Sequence, residues 1–228
     1  MALRDRLRLL EIADREDFLI LEDNAYGFTT LDGDALPPLK ALDTGARVVH
    51  IGTFAKVCFP GARVGYVIAD QVVGGGERLL AAELAALKTM VTVNTSPLSQ
   101  AVIGGMLLEH GGSLAAMSRR KSELYQRNLG CLLAALDRHL GDDPPAGIRW
   151  NRPGGGFFVR LHLPVPADAA LLETSAARYG VLWTPMAQFY LDGAGDRQLR
   201  LSCSYLDPEQ IETGARRLGE FLRKEIVA

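Results

Sequence analysis

The chain has 228 residues, with 25 lysines and arginines against 27 aspartates and glutamates and a net charge of −2. At about 150 residues per domain that is one large domain or one and a half, and 48% hydrophobic against 23% charged residues leaves ample material for a core. The near-neutral balance argues against nucleic acid or an anionic membrane surface as partner. No run approaches the roughly 18 apolar residues of a membrane span, and the opening MALRDRLRLLEIADRED is too charged to read as a signal peptide.

In chain order, Leu3, Leu7, Leu10 and Ile12 fall near helical spacing, so the chain opens in a helix. The unalternating run Phe18-Leu19-Ile20-Leu21 predicts a buried parallel strand, ending abruptly in Glu22-Asp23-Asn24. Beyond Pro37-Pro38, Val48-Val49-His50-Ile51-Gly52 predicts a second strand, and Val64-Gly65-Tyr66-Val67-Ile68 a third after the Pro60-Gly61 break. Gly74-Gly75-Gly76 reads as a linker turn. Helices are expected over 77–92, over 97–110 with Pro97 at a tolerated first position, and over about 112–140. In the last, Leu124, Leu129, Leu132, Leu133 and Leu136 form the core stripe and Arg119-Arg120-Lys121 a solvated face. Gly141 to Pro145 should stop that helix. Short strands at 148–150, 156–162, 180–184 and 197–203, a helix near 167–178 and a terminal helix near 207–225 complete a smaller α+β unit. The expected division is 1–105 for part of a large domain and 106–228 for a small one.

The chemistry concentrates around Lys56. It follows a strand end and sits among Phe54, Val57 and Phe59, company that favours a neutral, nucleophilic amine. Thr53 and Arg63 flank it with a hydroxyl and a fixed cation suited to a phosphate. Asp23, at the end of the neighbouring strand, can place a carboxylate against a ring nitrogen, with Tyr26 three residues on. A lysine for a Schiff base, an acid for a pyridinium and phosphate-holding groups are the parts that pyridoxal 5'-phosphate chemistry needs. Three widely spaced cysteines (Cys58, Cys131, Cys203) and scattered histidines speak against a disulfide framework or a metal site, and suit a cytoplasmic protein.

Glu22-Asp23-Asn24-Ala25-Tyr26-Gly27 and the stretch from Gly52-Thr53-Phe54-Ala55-Lys56 through Pro60-Gly61-Ala62-Arg63-Val64-Gly65-Tyr66 resemble the two signature segments of class I/II aminotransferases, fold-type-I pyridoxal-phosphate enzymes. The nearest branch includes aminoadipate, aromatic and valine–pyruvate aminotransferases and the effector domains of MocR-type regulators. Asn94-Thr95-Ser96-Pro97, Pro153-Gly154-Gly155-Gly156-Phe157-Phe158 and Leu199-Arg200-Leu201-Ser202 extend the resemblance over essentially the whole chain.

The resemblance implies an α/β fold: part of the large domain, with a mostly parallel sheet in three layers, and a small α+β domain. It implies transfer of an amino group between an α-amino acid and a 2-oxo acid. Asp23 would pair with the pyridine nitrogen, Tyr26 with the 3-oxygen, and Thr53 and Arg63 with the phosphate. Lys56 would be Schiff-base lysine and base, and Arg200 would clamp the substrate α-carboxylate. A homodimer is expected of the complete protein. Ala55 departs from the serine common before the lysine, and the family's N-terminal half is not matched, so the chain is expected to be a fragment, weakly active alone. Other fold-type-I chemistry in secondary metabolism and a non-catalytic MocR-type effector module are the alternatives. Trp150, Trp183 and Phe189 read as core or pocket wall, Thr184-Pro185-Met186 as pocket lining or plain loop, Cys203 as a packing residue, and Cys58 as a packing residue or a reactive thiol near a cationic site.

Overall fold

A computed structural model describes residues 1–29, 36–141 and 147–226. Its contacts divide the chain into two units, Met1–Lys121 and Ser122–Ala228. The expected boundary lay at 105/106; the contacts put it inside a helix instead.

The first unit opens with α1 (Leu3–Arg15), from which the chain enters β1 (Ile20–Asp23). A short α2 (Leu39–Leu42) leads to β2 (Val48–Thr53), and β3 (Gly65–Ile68) follows. These strands form a sheet in the order β1-β2-β3. β1 and β2 are parallel, with Ile20 opposite Val48 and Asp23 opposite Ile51. β3 runs antiparallel to β2, with Thr53 opposite Gly65 and Ile51 opposite Val67. The expected parallel arrangement therefore holds for the first pair and not the second. Segment 54–64 is too short for a parallel crossover, which takes roughly a dozen residues or more, usually with a helix.

β1 also begins two positions later than its apolar run. Leu21 is 69% exposed, so this is no buried strand. By register and alternation Leu21, Val49, Ile51 and Val67 share one face, on which Val49 is buried and the other three are exposed. Glu22, His50 and Tyr66 share the other, where the His50 and Tyr66 rings stack with centroids 6.0 Å apart. Gly52 is required here: a Cβ would lie 2.2 Å from the Tyr66 ring.

Beyond β3, Val72 bridges to Leu79 around the glycine run, with Gly74 and Gly75 at φ of +70° and +67°, a left-handed pair that L side chains rarely adopt. Two helices follow, α3 (Leu80–Thr92) and α4 (Pro97–Glu109). The Ser96 hydroxyl caps α4 at Ser99 N, with Pro97 at its first position. α3 buries none of its residues. A small core joins Val57, Cys58, Ala62 and Val64 of the post-β2 loop to Ile103 of α4 and Met117 of the next helix.

That helix, α5 (Leu114–Leu140), spans the unit boundary. Its stop was expected over Gly141–Pro145; Gly141 N–H bonds Asp137 O, and the remainder lies outside the described residues. In the second unit β4 (Arg149–Trp150), β5 (Phe158–His162), β6 (Thr184–Pro185) and β7 (Gln198–Ser202) form an antiparallel sheet in the order β4-β5-β7-β6. Between them lies α6 (Ala169–Thr174), capped by Asp168, and α7 (Pro208–Glu225) closes the chain behind an Asp207–Gln210 capping box. Val159, Leu161, Leu199 and Leu201 on the inner sheet face pack with Leu129, Leu132 and Leu136 of α5 and Leu218, Phe221 and Leu222 of α7. Leu133 packs against this cluster and Leu124 is half-buried. Among the described residues no helix is long and apolar enough to cross a membrane.

Candidate functional site

In the first unit, the carboxyl ends of β1 and β2 coincide, the edge of an open α/β sheet where ligands bind. Asn24 N–H bonds Ile51 O at 2.9 Å, which ends the pairing one residue past Asp23. Asp23 is exposed, and its Oδ1 accepts the Ala25 N–H at 3.3 Å, a local turn that leaves its other oxygen available. Tyr26 lies in the same turn.

β2 runs on to Thr53, whose Oγ1 accepts the Ala55 N–H at 3.1 Å and so starts the turn that carries Lys56. Cys58 N–H bonds back to Phe54 O at 2.8 Å, closing a single helical turn with Lys56 at its centre. Val57 and Cys58 point into the core, which leaves Lys56 half-buried with Nζ 5.8 Å from the centre of the Tyr26 ring. The loop continues through a 3₁₀ turn, Pro60–Ala62, to Arg63 at φ 54°, a left-handed non-glycine residue. Phe54 N–H bonds Val64 O at 3.1 Å, so the chain returns beside the start of the Lys56 turn. Arg63 is exposed, with no ion pair among the described residues. Lys56 and the four residues expected around it, Asp23, Tyr26, Thr53 and Arg63, thus lie at the ends of β1 and β2 and in the turns that follow them.

The sequence reading missed two features beneath this edge. Glu22 accepts from Leu39 and Lys40 N–H at 2.6 and 3.1 Å and lies 2.8 Å from His50 Nδ1. Lys121, assigned to a solvated face, is half-buried and donates to the carbonyl of Cys58. Its position four residues after the buried Met117 was the available signal. Burial lowers the Lys121 ammonium below its ordinary value; the neighbouring Cys58 opposes this and Lys56 adds to it.

In the second unit, Arg200 occupies the middle of β7, directly opposite Arg160 of β5 on one side and Thr184 of β6 on the other. Its guanidinium carbon lies 4.2 Å from the Phe158 ring centre and 4.9 Å from that of Phe189. Its Nε is buried with no hydrogen-bond partner, and no carboxylate pairs with it among the described residues. A stacked guanidinium with a buried, unused Nε donor is suited to a carboxylate ligand. Arg160 Nη1 lies 3.3 Å from the Tyr190 hydroxyl. Phe189 is wall rather than core, Trp183 is buried core, and Trp150 packs against it. Thr184 and Pro185 form a paired strand beside Arg200. Cys203 is a core residue whose thiol burial pushes up to about 11.

The family model for aminotransferases of class I and II matches residues 2–218. The chain belongs to that family, with the fold-type-I architecture. It is 51% identical over 222 residues to (S)-3,5-dihydroxyphenylglycine transaminase of Amycolatopsis orientalis, covering 97% of this chain and 50% of that protein. It is 34% identical to aromatic-amino-acid aminotransferase 1 of Thermococcus litoralis, again over 97% of this chain and 50% of the relative. Among solved structures, a kynurenine aminotransferase of Pyrococcus horikoshii, in complex with PMP and KYN as substrates and KYA as products, superposes with a TM-score of 0.84 at 29% identity. All of this chain and 53% of that one are covered. The chain therefore spans about half the length of the curated relatives it matches.

Proposed function

We propose that the chain carries the lysine-bearing and carboxylate-binding parts of a pyridoxal-phosphate-dependent aminotransferase that moves an amino group between an α-amino acid and a 2-oxo acid. The observation that carries the reading is the Lys56 turn at the shared carboxyl edge of β1 and β2, with Asp23, Tyr26, Thr53 and Arg63 around it. The donor set suits the cofactor: a carboxylate for a ring nitrogen, a phenol, a primary amine, and a hydroxyl with a guanidinium for a phosphate.

When bound, pyridoxal phosphate supplies an electron sink for charge developing at the substrate α-carbon. Asp23 would hold the proton on the ring nitrogen, and the Tyr26 hydroxyl would donate to the ring's 3-oxygen. Thr53 and Arg63 would hold the phosphate. Lys56 would hold the cofactor through its amine, and its Nζ would take and return the migrating proton. Arg200 would fix the substrate through its α-carboxylate, its stacked fork setting the orientation.

The first unit then corresponds to part of the family's large domain and the second to its small domain. An aromatic amino acid or arylglycine is the proposed substrate class. The named substrates of the relatives support it, as do the Phe158 and Phe189 rings that bracket Arg200. A homodimer in the cytoplasm is proposed for the complete protein; the apolar, exposed side chains of α3, Leu87, Met90 and Val91, support association. The test is borohydride reduction in the presence of pyridoxal phosphate, followed by peptide mapping. Label on Lys56, and its loss in Lys56→Ala, is expected; label on other lysines alone rejects the assignment.

A further inference from the structure

Lys56 is held by a turn whose carbonyl end faces a second lysine. The turn begins at Thr53 Oγ1, is closed by the Cys58 N–H to Phe54 O bond, and ends at the Cys58 carbonyl, to which Lys121 Nζ donates. Lys121 comes from α5, far away in sequence, and lies one turn beyond Met117, a member of the core that seats Val57 and Cys58. An ammonium on the last carbonyl of a helical turn complements the turn's dipole and satisfies an acceptor the turn itself cannot. Anchoring Lys121 on a carbonyl two residues from Lys56 thus fixes where one cation sits and leaves the other facing Tyr26.

We propose that Lys121 is a positioning residue for Lys56, holding the Cys58 carbonyl so that the turn presents the Lys56 amine at the strand edge. The proposal rests on the reading of Lys56 as the cofactor-linked lysine for its consequence, and on the turn geometry for its mechanism. Nothing in it requires Lys121 to touch cofactor or substrate.

Two readouts test it on the full chain. The first is amide hydrogen exchange at Cys58, compared with that at Val49 in β2. The second is the share of borohydride-trapped pyridoxal phosphate found on Lys56. In Lys121→Met, exchange at Cys58 should quicken on the order of tenfold, as expected for losing a charge-assisted hydrogen bond, while Val49 is unmoved. The Lys56 share of label should fall with it, and Lys121→Arg should restore both. Lys121→Gln, a neutral donor that retains hydrogen-bonding capacity, serves if the methionine variant does not fold, and should give a partial loss of both. Unchanged Cys58 exchange in the methionine and glutamine variants overturns the proposal. So does a uniform rise at Cys58 and Val49 that arginine fails to rescue, because that is general destabilisation. If the parent chain takes no label on Lys56 but Cys58 exchange still responds with arginine rescue, Lys121's hold on the turn stands and the cofactor reading falls.

Discussion

Glu22 and His50 face each other across the parallel β1–β2 pair, with Oε2 of the carboxylate 2.8 Å from the imidazole Nδ1. Burial alone would raise the Glu22 carboxyl. The His50 hydrogen bond and the Leu39 and Lys40 amides outweigh it and hold the group below its ordinary value of 4.5. A carboxyl lowered by folding contributes stability that is complete above its unfolded value and is lost as pH falls through the folded one. The urea midpoint should therefore drop as pH falls below 4.5. Glu22→Gln should cost about 1–3 kcal/mol at neutral pH and show a shallower acid slope than the parent. Parallel pH profiles of the two proteins would remove Glu22 from the account.

Arg200→Lys should weaken carboxylate binding more than it slows turnover. A point charge on a flexible stem can neither fork onto a carboxylate nor stack between Phe158 and Phe189. In the complete enzyme KM for the amino acid should rise by at least about tenfold, equivalent to about 1.4 kcal/mol of lost binding. On the chain itself, the Arg200 Nε–Hε resonance should move when a 2-oxo acid is added. A resonance that stays put would take Arg200 out of substrate binding.

Asn128 is fully buried on α5, and its Nδ2 donates to Cys203 O at 2.8 Å and Leu206 O at 2.7 Å. Leucine has similar volume but leaves both carbonyls without their donor. Asn128→Leu should cost about 2–6 kcal/mol, on the basis of about 1–3 kcal/mol for each unsatisfied group. The chemical-denaturation midpoint reports it, and a neutral result would mean the segment after β7 finds other partners.

Gly52→Ala should destabilise the first unit by about 1–3 kcal/mol, because the added methyl must displace the Tyr66 ring. That ring is packed between His50 and Phe54, with centroids at 6.0 and 5.2 Å. In a Tyr66→Ala background the same change should cost much less. Additive costs in the double variant would show that the collision is relieved elsewhere.

The placement of the candidate site around Lys56 was legible because it depends on residue type at strand ends: an acid closing one apolar run, and a lysine flanked by a hydroxyl and an arginine after the next. Helix spans were legible for the same local reason, since periodicity and the Pro97 and Pro208 starts are written in adjacent residues. What escaped depends on register. The apolar run before Glu22 reads as buried, but on its sheet face Leu21, Ile51 and Val67 are open to solvent. The direction of β3 follows from the length of the loop before it rather than from its own composition. Glu22–His50 and Lys121–Cys58 join residues far apart in the chain, and a run of three cations looks solvated until helix phase sets Lys121 apart. The rings that bracket Arg200 lie on β5 and beside β6, so only the sheet order brings them together.

α5 has 27 residues and lends side chains to two cores, Met117 to the first and Leu129, Leu132 and Leu136 to the second. Severed at Lys121, the first unit would keep roughly two turns of it, well under the 12–15 residues at which isolated helices become even marginal in water. The second would lose the first two turns of its longest element. Contacts divide this polypeptide in two, yet a single continuous helix supplies core side chains on both sides of that division.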